Sequence, residues 1–158
     1  GHWEGDLIVG PHNRSAIGTL VERQTRYVRL LHLPAHNSSA LHAALVRLLN
    51  ELPPPLRRTL TWDQGTEMAK HLEITADTGT KIYFCDAASP WQRGSNENTN
   101  GLLRQYFPKS TNLAVHTPHD LARVESELNR RPRITLGDRT PADLFELLLA
   151  SGNHPALQ

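Results

Sequence analysis

The sequence predicts an α/β domain built on a five-stranded mixed sheet, in which three antiparallel strands are followed by two parallel ones and helices flank the sheet. Three observations predict this class. The first three β-rich stretches are joined by short polar connections, which is typical of an antiparallel meander. Strand-like and helix-like segments then alternate, which indicates parallel pairing. The last third of the chain carries repeated helix start signals.

The strands are predicted from local composition. Each predicted strand is rich in β-branched, aromatic or other apolar residues and is bounded by turn-like or polar residues. The five segments are residues 5–9, 16–22, 27–33, 60–62 and 81–85.

The helices are predicted from leucine spacing and from capping residues. Leucines at helical spacing follow the cap residue Asn37, so a helix runs from there to about residue 52. Two later helices share one start signal, because Thr117 and Thr140 are each followed by a proline and then by an acid three residues after the threonine. Further helices are expected at residues 67–75 and about 96–106, with a polar loop before the latter.

Length and composition favour one domain in a reducing compartment. A chain of 158 residues is large enough to bury a core without disulfides. Cys85 is the only cysteine, and no cysteine or histidine spacing typical of zinc occurs. No apolar run is long enough to cross a bilayer, so a cytoplasmic protein with no membrane partner is expected.

Net charge gives little indication of the partner. Seventeen lysines and arginines against sixteen acids leave +1, so composition alone does not predict nucleic-acid binding. Residues 101–139 carry seven basic residues against four acids, which is a mild bias toward a polyanion.

Three acids occupy positions that a mixed sheet can bring together. Asp6 lies on the first predicted strand, Asp63 just follows the fourth, and Glu97 begins the helix after the long loop. If the fourth strand pairs parallel beside the first, the two aspartates become neighbours and the following helix can pack across them. Taken singly, each acid is more often a solvated surface group or a helix cap.

Carboxylates crowded in this way repel unless a cation lies between them. Hard oxygen ligands favour Mg²⁺ or Mn²⁺. Two such ions, roughly 4 Å apart, would serve an in-line phosphoryl transfer. The triad therefore predicts a catalytic metal site.

Short motifs surround the triad and continue along the chain. They are GHWEGD at 1–6, TWDQG at 61–65, SPWQRGSNEN at 89–98, TNGLLRQYFPK at 99–109, LNRRPR at 128–133 and TPA at 140–142. Together they resemble the transposases of the insertion sequence thirty family. The resemblance extends over nearly the whole chain except the last several residues, and 33 residues separate Asp63 from Glu97, as in that family.

This resemblance implies a ribonuclease-H-like integrase core that cleaves DNA strands and joins a freed 3′ hydroxyl to another strand. Asp6 and Asp63 would share one ion, and Asp6 and Glu97 the other. The implied partners are element-end and target DNA and further copies of the chain. Residues 1–135 are expected to form the core and 136–158 a helical extension, with the family's N-terminal helix-turn-helix region lying outside this sequence.

DNA-contacting residues are expected around the triad. Arg104 lies seven residues after Glu97 and shares its helix face, so it is expected to contact a phosphate rather than a neighbouring acid. Asn96 fits a helix cap equally well, and the arginines near residue 131 fit a solvated turn. The remaining candidates are Gln92, Arg93, Asn96, Asn98, Lys109, Arg130, Arg131 and Arg133.

Two other functions remain open. A nuclease of the same fold would cleave without joining, and a catalytically silent remnant would only bind DNA or oligomerise. One departure from the family pattern is Ser110, where glycine is expected after the FPK motif. If the turn there needs positive φ, serine is strained.

Overall fold

The computed structural model describes residues 1–62, 68–85 and 94–152, and for 94–97 and 152 the description is confined to the backbone. Five strands and five α-helices alternate with short 3₁₀ turns in this part of the chain. The strands are β1 (His2–Val9), β2 (Ala16–Glu22), β3 (Val28–His32), β4 (Thr59–Trp62) and β5 (Lys81–Phe84). The helices are α1 (Ser38–Asn50), α2 (His71–Thr78), α3 (Gly94–Leu103), α4 (Pro118–Asn129) and α5 (Pro141–Gly152).

The strands form one mixed sheet in the order β3-β2-β1-β4-β5. β1, β2 and β3 pair antiparallel, and β4 and β5 add to β1 in parallel. Two register pairs fix the centre of the sheet, because Asp6 lies opposite Thr19 on β2 and Glu4 lies beside Thr61 on β4. The predicted five-stranded mixed sheet is confirmed, and the parallel β1–β4 pair, on which the expected meeting of the two aspartates depends, is present.

Alternating side chains of the strands divide the core into two apolar layers. Trp3 and Leu7 of β1 belong to the layer that includes α1, α2 and α5. Ile8 and, on β2, Val21 belong to the other layer, which α3 and α4 cover. The sheet is therefore sandwiched between helices, as the alternating sequence pattern predicts.

Most predicted element starts agree with the structure. The side chain of Asn37 accepts a hydrogen bond from the Ala40 amide, and Thr117 forms a full capping box with Asp120. The amide of Asp143 donates to the Thr140 hydroxyl at 3.1 Å, as the second threonine signal predicts.

Two predicted helices differ in their bounds. α2 begins at His71 instead of residue 67, and its N-cap, Lys70, makes no side-chain cap bond, so the sequence carries no start signal there. α3 already includes Gly94 and ends at Leu103, since the predicted last turn is replaced by a tighter turn in which the Tyr106 amide donates to the Leu103 carbonyl.

Candidate active site

Asp6 lies near the middle of the sheet on β1 and is partly buried. It shares its strand face with Ile8, so it lies on the side of the sheet that α3 covers. Its Oδ1 accepts a hydrogen bond from the Leu7 amide at 2.8 Å, and its carbonyl accepts one from the Thr19 hydroxyl at 3.2 Å. The carboxylate is therefore held by an amide of its own strand, and the Asp6 backbone is held by the neighbouring strand.

Asn100 of α3 is a site residue that sequence reasoning missed. Its Nδ2 donates to Asp6 Oδ2 at 3.2 Å, across 94 residues of sequence. This bond joins the helix that carries Glu97 to the strand that carries Asp6. The available signal was position, because Asn100 lies three residues after Glu97 and positions three apart share a helix face.

The junction of β1 and β4 beside Asp6 is tightly packed. Trp62, the last residue of β4, is fully buried, and a Cβ added at Gly5 would lie 2.2 Å from its indole ring. Glycine at position 5 is thus required by the close approach of Trp62. Asp63 follows Trp62 directly and lies outside the described residues.

The third predicted acid, Glu97, lies in the first half of α3, and only its backbone position is described. The helix packs on β1 and β2. Leu103 of α3 lies in the apolar layer beneath it, and Thr99 is also buried. The structure therefore brings the helix of Glu97 to the strand of Asp6, while the separation of the two carboxylates is not described.

An open cleft of about 690 Å³ adjoins Asp6. Its lining includes the residues at the start of α1, where Asn37 caps the helix. His36 also lines the cleft, and its Nδ1 lies 2.8 Å from the Asn13 carbonyl oxygen. A substrate strand that reached Asp6 through this cleft would meet polar groups of α1 and of the β1–β2 connection.

Arg104 was expected on the same helix face as Glu97, but α3 ends at Leu103, so Arg104 lies in the turn that follows the helix. Its Nη2 donates to the Val9 carbonyl at 3.4 Å and its Nη1 to the Phe107 carbonyl at 3.3 Å. The side chain is partly buried. In this structure, Arg104 links the end of α3 to the end of β1, three residues from Asp6.

The other predicted DNA contacts are spread over several elements. Asn98 on α3 and Lys109 after it are exposed, and so are Arg130 and Arg131 after α4, whereas Arg133 is partly buried. Gln92 and Arg93 lie outside the described residues, and for Asn96 only the helical backbone is described.

The donor chemistry of the described site suits a hard cation. Asp6 contributes carboxylate oxygens, and Asn100 fixes one of them. Carboxylate oxygens held in this way are the ligands that Mg²⁺ and Mn²⁺ prefer. Among the side chains described, no three acids, histidines or cysteines form a cluster, and only Asp6 of the predicted triad is among those side chains.

No helix within residues 1–62, 68–85 and 94–152 is both long enough and apolar enough to cross a membrane.

This chain is similar to one described protein family and to several known transposases. Residues 1–90 match the family described as integrase core domain. The transposase InsI of insertion sequence element IS30C from Escherichia coli K12 is 55% identical over 92% of this chain and 38% of its own length. The transposase of IS1086 from Cupriavidus metallidurans is 51% identical over 96% of this chain and 44% of its own.

A solved structure supports the fold. A chain of the simian T-cell lymphotropic virus intasome, in complex with PP2A regulatory subunit B56 gamma, matches 99% of this chain and 55% of its own length with a TM-score of 0.69. The sequences are only 20% identical, so the match concerns the fold alone. This integrase-like architecture agrees with the predicted ribonuclease-H-like sheet. The chain spans less than half the length of the two transposases.

Proposed function

Because this chain belongs to the integrase core domain family, among the transposases of the IS30 type, we propose that it is a catalytic core that cuts and joins DNA strands. The substrates would be the ends of a mobile element and a target DNA. The reaction would be hydrolysis of a phosphodiester bond, followed by attack of the freed 3′ hydroxyl on another strand. The protein would act as a homo-oligomer on DNA.

One observation carries this proposal, namely the bond from Asn100 to the carboxylate of Asp6. It ties α3 to the sheet beside the parallel pair β1 and β4. Asp63 directly follows β4 in the sequence, and Glu97 precedes Asn100 by three residues in one helix. The topology thus supports convergence of the three acids on one place.

We assign Asp6, Asp63 and Glu97 as the ligands of two divalent ions, Mg²⁺ or Mn²⁺. When bound, such ions would activate the attacking oxygen and stabilise the leaving oxygen. Asp6 is suited to serve as the shared ligand because its two oxygens have separate protein partners, Leu7 and Asn100.

The other residues of the site would act by positioning. Asn100 holds the Asp6 carboxylate in one orientation, which reduces the cost of arranging it at the moment of reaction. Arg104 uses two N–H groups for the Val9 and Phe107 carbonyls, and its remaining donors would reach a phosphate near Asp6. Asn98, exposed on α3, and Lys109, exposed after it, would meet the DNA backbone outside the cleft.

Calorimetric titration with Mn²⁺ and Mg²⁺ tests the metal site directly. Asp6→Asn and Asp63→Asn should abolish most of the binding, and Asn100→Ala should weaken it about 10- to 100-fold because the ligand loses its orientation. Asp138→Asn is the matched control, since Asp138 is exposed on a loop near the C-terminus of the described chain and should leave binding unchanged. If Asp6→Asn, Asp63→Asn and Asn100→Ala bound the ions as tightly as the Asp138→Asn control, the assigned ligands would be contradicted.

A strand-transfer assay separates the competing functions. A labelled DNA end with a free 3′ hydroxyl should be joined to a plasmid in Mn²⁺ by the parent chain and not by Asp6→Asn. Cleavage without joining would indicate a simple nuclease. Metal-independent DNA binding with no cleavage under either ion would indicate a silent DNA-binding or oligomerisation module.

A further inference from the structure

Three arginines from distant parts of the sequence converge at the hairpin end of the sheet. Arg26 lies in the β2–β3 turn, whereas Arg131 and Arg133 follow α4. Asn129, the last residue of α4, brings these segments together: its Oδ1 accepts from the Val28 amide at 2.8 Å and its Nδ2 donates to the Val28 carbonyl at 2.9 Å. Arg26 thus becomes a neighbour of Arg131 and Arg133 through packing, although more than 100 residues separate it from them in the chain.

Arg133 is the central member of this group. Its Nε and Nη2 are inaccessible to solvent and have no hydrogen-bond partner among the described residues. Burial lowers the pKa of its guanidinium, and the positive charges of Arg131 and Arg26 lower it further, with no described carboxylate opposing them. Because Arg133 as a whole is only partly buried, the accessible part of its side chain can meet an anion, and an anion there would offset the mutual repulsion of the three positive charges.

The surroundings hold the arginines in place. The Arg133 amide donates to the Arg139 carbonyl at 2.9 Å, which closes the loop that carries Arg133. Arg131 is hydrogen-bonded to the Tyr106 hydroxyl, and its guanidinium lies 5.6 Å from the centre of that ring. A fork of N–H donors fixed in this way matches the geometry of phosphate oxygens.

We propose that Arg26, Arg131 and Arg133 form a binding site for backbone phosphates of DNA, separate from the site at Asp6. The partner rests on the proposed function, because a cluster of three arginines fits DNA phosphates when the same domain acts on DNA. The cluster adjoins α4, which covers the same face of the sheet as α3.

The spacing of the two sites follows from the strand register. Asp6 pairs with Thr19, and Glu22 lies three residues further along β2, which is roughly 10 Å at about 3.3 Å per residue. Arg26 lies beyond Glu22 in the turn. The cluster therefore lies roughly 10 Å or more from Asp6 along the strand direction.

Salt-dependent DNA binding tests the proposal. Fluorescence anisotropy with a labelled duplex of arbitrary sequence, in EDTA, gives the slope of log affinity against log salt concentration. The double variant Arg26→Gln, Arg131→Gln should bind more weakly and lose about 2 from the magnitude of that slope, since each phosphate contact contributes about 0.9. Arg47→Gln is the matched control, because Arg47 is exposed on α1 across the sheet and should leave the slope unchanged. A double variant with the parent slope, or a parent chain that does not bind DNA, would overturn the proposal.

Arg133→Met distinguishes a ligand site from a structural one. Removal of an unpartnered buried charge should keep or raise the Tm while weakening DNA binding. A lower Tm with an unchanged salt slope would show that Arg133 only supports the fold and would overturn its assignment.

In the strand-transfer assay, the double variant Arg26→Gln, Arg131→Gln should show a higher KM with little change in kcat. Failure of the catalytic proposal, in contrast, would appear as absence of joining by the parent chain.

Discussion

Ser110 adopts a left-handed backbone conformation with φ of 66°. The expected turn with positive φ is therefore present, and a side chain with a Cβ pays a steric cost there. Ser110→Gly should raise the free energy of unfolding by about 0.5–1 kcal/mol, after allowing for the greater chain entropy of glycine. Urea denaturation measures the change. Ser110→Ala keeps the Cβ and should give no gain, so an equal gain from alanine would refute the steric explanation.

At position 5 the chain already has the glycine that its surroundings require, because any side chain there would collide with Trp62. Gly5→Ala should lower the free energy of unfolding by about 1–3 kcal/mol, because the new methyl group would overlap the fully buried indole of Trp62. It should also weaken Mn²⁺ binding, as the β1–β4 junction beside Asp6 would shift. Thermal unfolding and calorimetry measure the two effects.

Gly101→Ala provides the control for this substitution. A Cβ at Gly101 meets no atom within 4 Å, and alanine is favoured over glycine inside a helix by about 1 kcal/mol. This variant should be at least as stable as the parent. If both substitutions had the same effect, the close approach of Trp62 would not be the cause.

Helix starts could be predicted from the sequence where a capping residue marks them. α1, α4 and α5 begin where Asn37, Thr117 and Thr140 supply side-chain caps, so their starts were readable from sequence. α2 follows Lys70, which supplies none, and its start was misplaced by four residues. Boundaries set by packing rather than by a cap leave no local trace in the sequence.

The edge strand β3 is protected by side chains of α4. Glu125 accepts a hydrogen bond from the Leu30 amide at 2.9 Å and pairs with Arg29 at 3.1 Å, so it occupies a backbone group that another strand would otherwise use. Burial raises the pKa of Glu125, and the Arg29 charge only partly opposes this. The folded protein therefore holds the Glu125 proton more tightly than the unfolded chain does.

This raised pKa fixes the sign of a pH effect. Between the ordinary glutamate pKa and the raised one, the folded state binds more protons, so stability falls as the pH rises through that window. The free energy of unfolding of the parent should therefore fall relative to that of Glu125→Gln as the pH rises. Urea denaturation across that range measures it. A constant difference for Glu125→Gln would contradict the raised pKa.

Across the whole molecule, topology was predictable and side-chain contacts between distant segments were not. The alternation of strands and helices indicated parallel pairing, and the structure pairs β4 with β1, the central strand that carries Asp6. Asn100 and Arg26 were missed because their roles depend on packing across 94 residues in one case and more than 100 in the other. Such pairs leave no periodic pattern, since only the folded chain makes them neighbours.

The C-terminal helix α5, which follows the predicted core of residues 1–135, packs on the main apolar layer. Phe145 of α5 is buried in the apolar layer, with its ring stacked on Tyr27 at 4.1 Å and edge-on to Trp3 at 5.9 Å. Phe145→Ala should lower the free energy of unfolding by about 3–5 kcal/mol, because the cavity would open between α5 and the start of β1. Leu147→Ala is the control on the same helix, since Leu147 is 60% exposed and should change stability by less than about 0.5 kcal/mol. Chemical denaturation monitored by tryptophan fluorescence reports on both variants, as Trp3 lies against Phe145. If Phe145→Ala were as mild as the control, α5 would be a detachable extension, and residues 136–158 could be removed without loss of the sheet that carries Asp6.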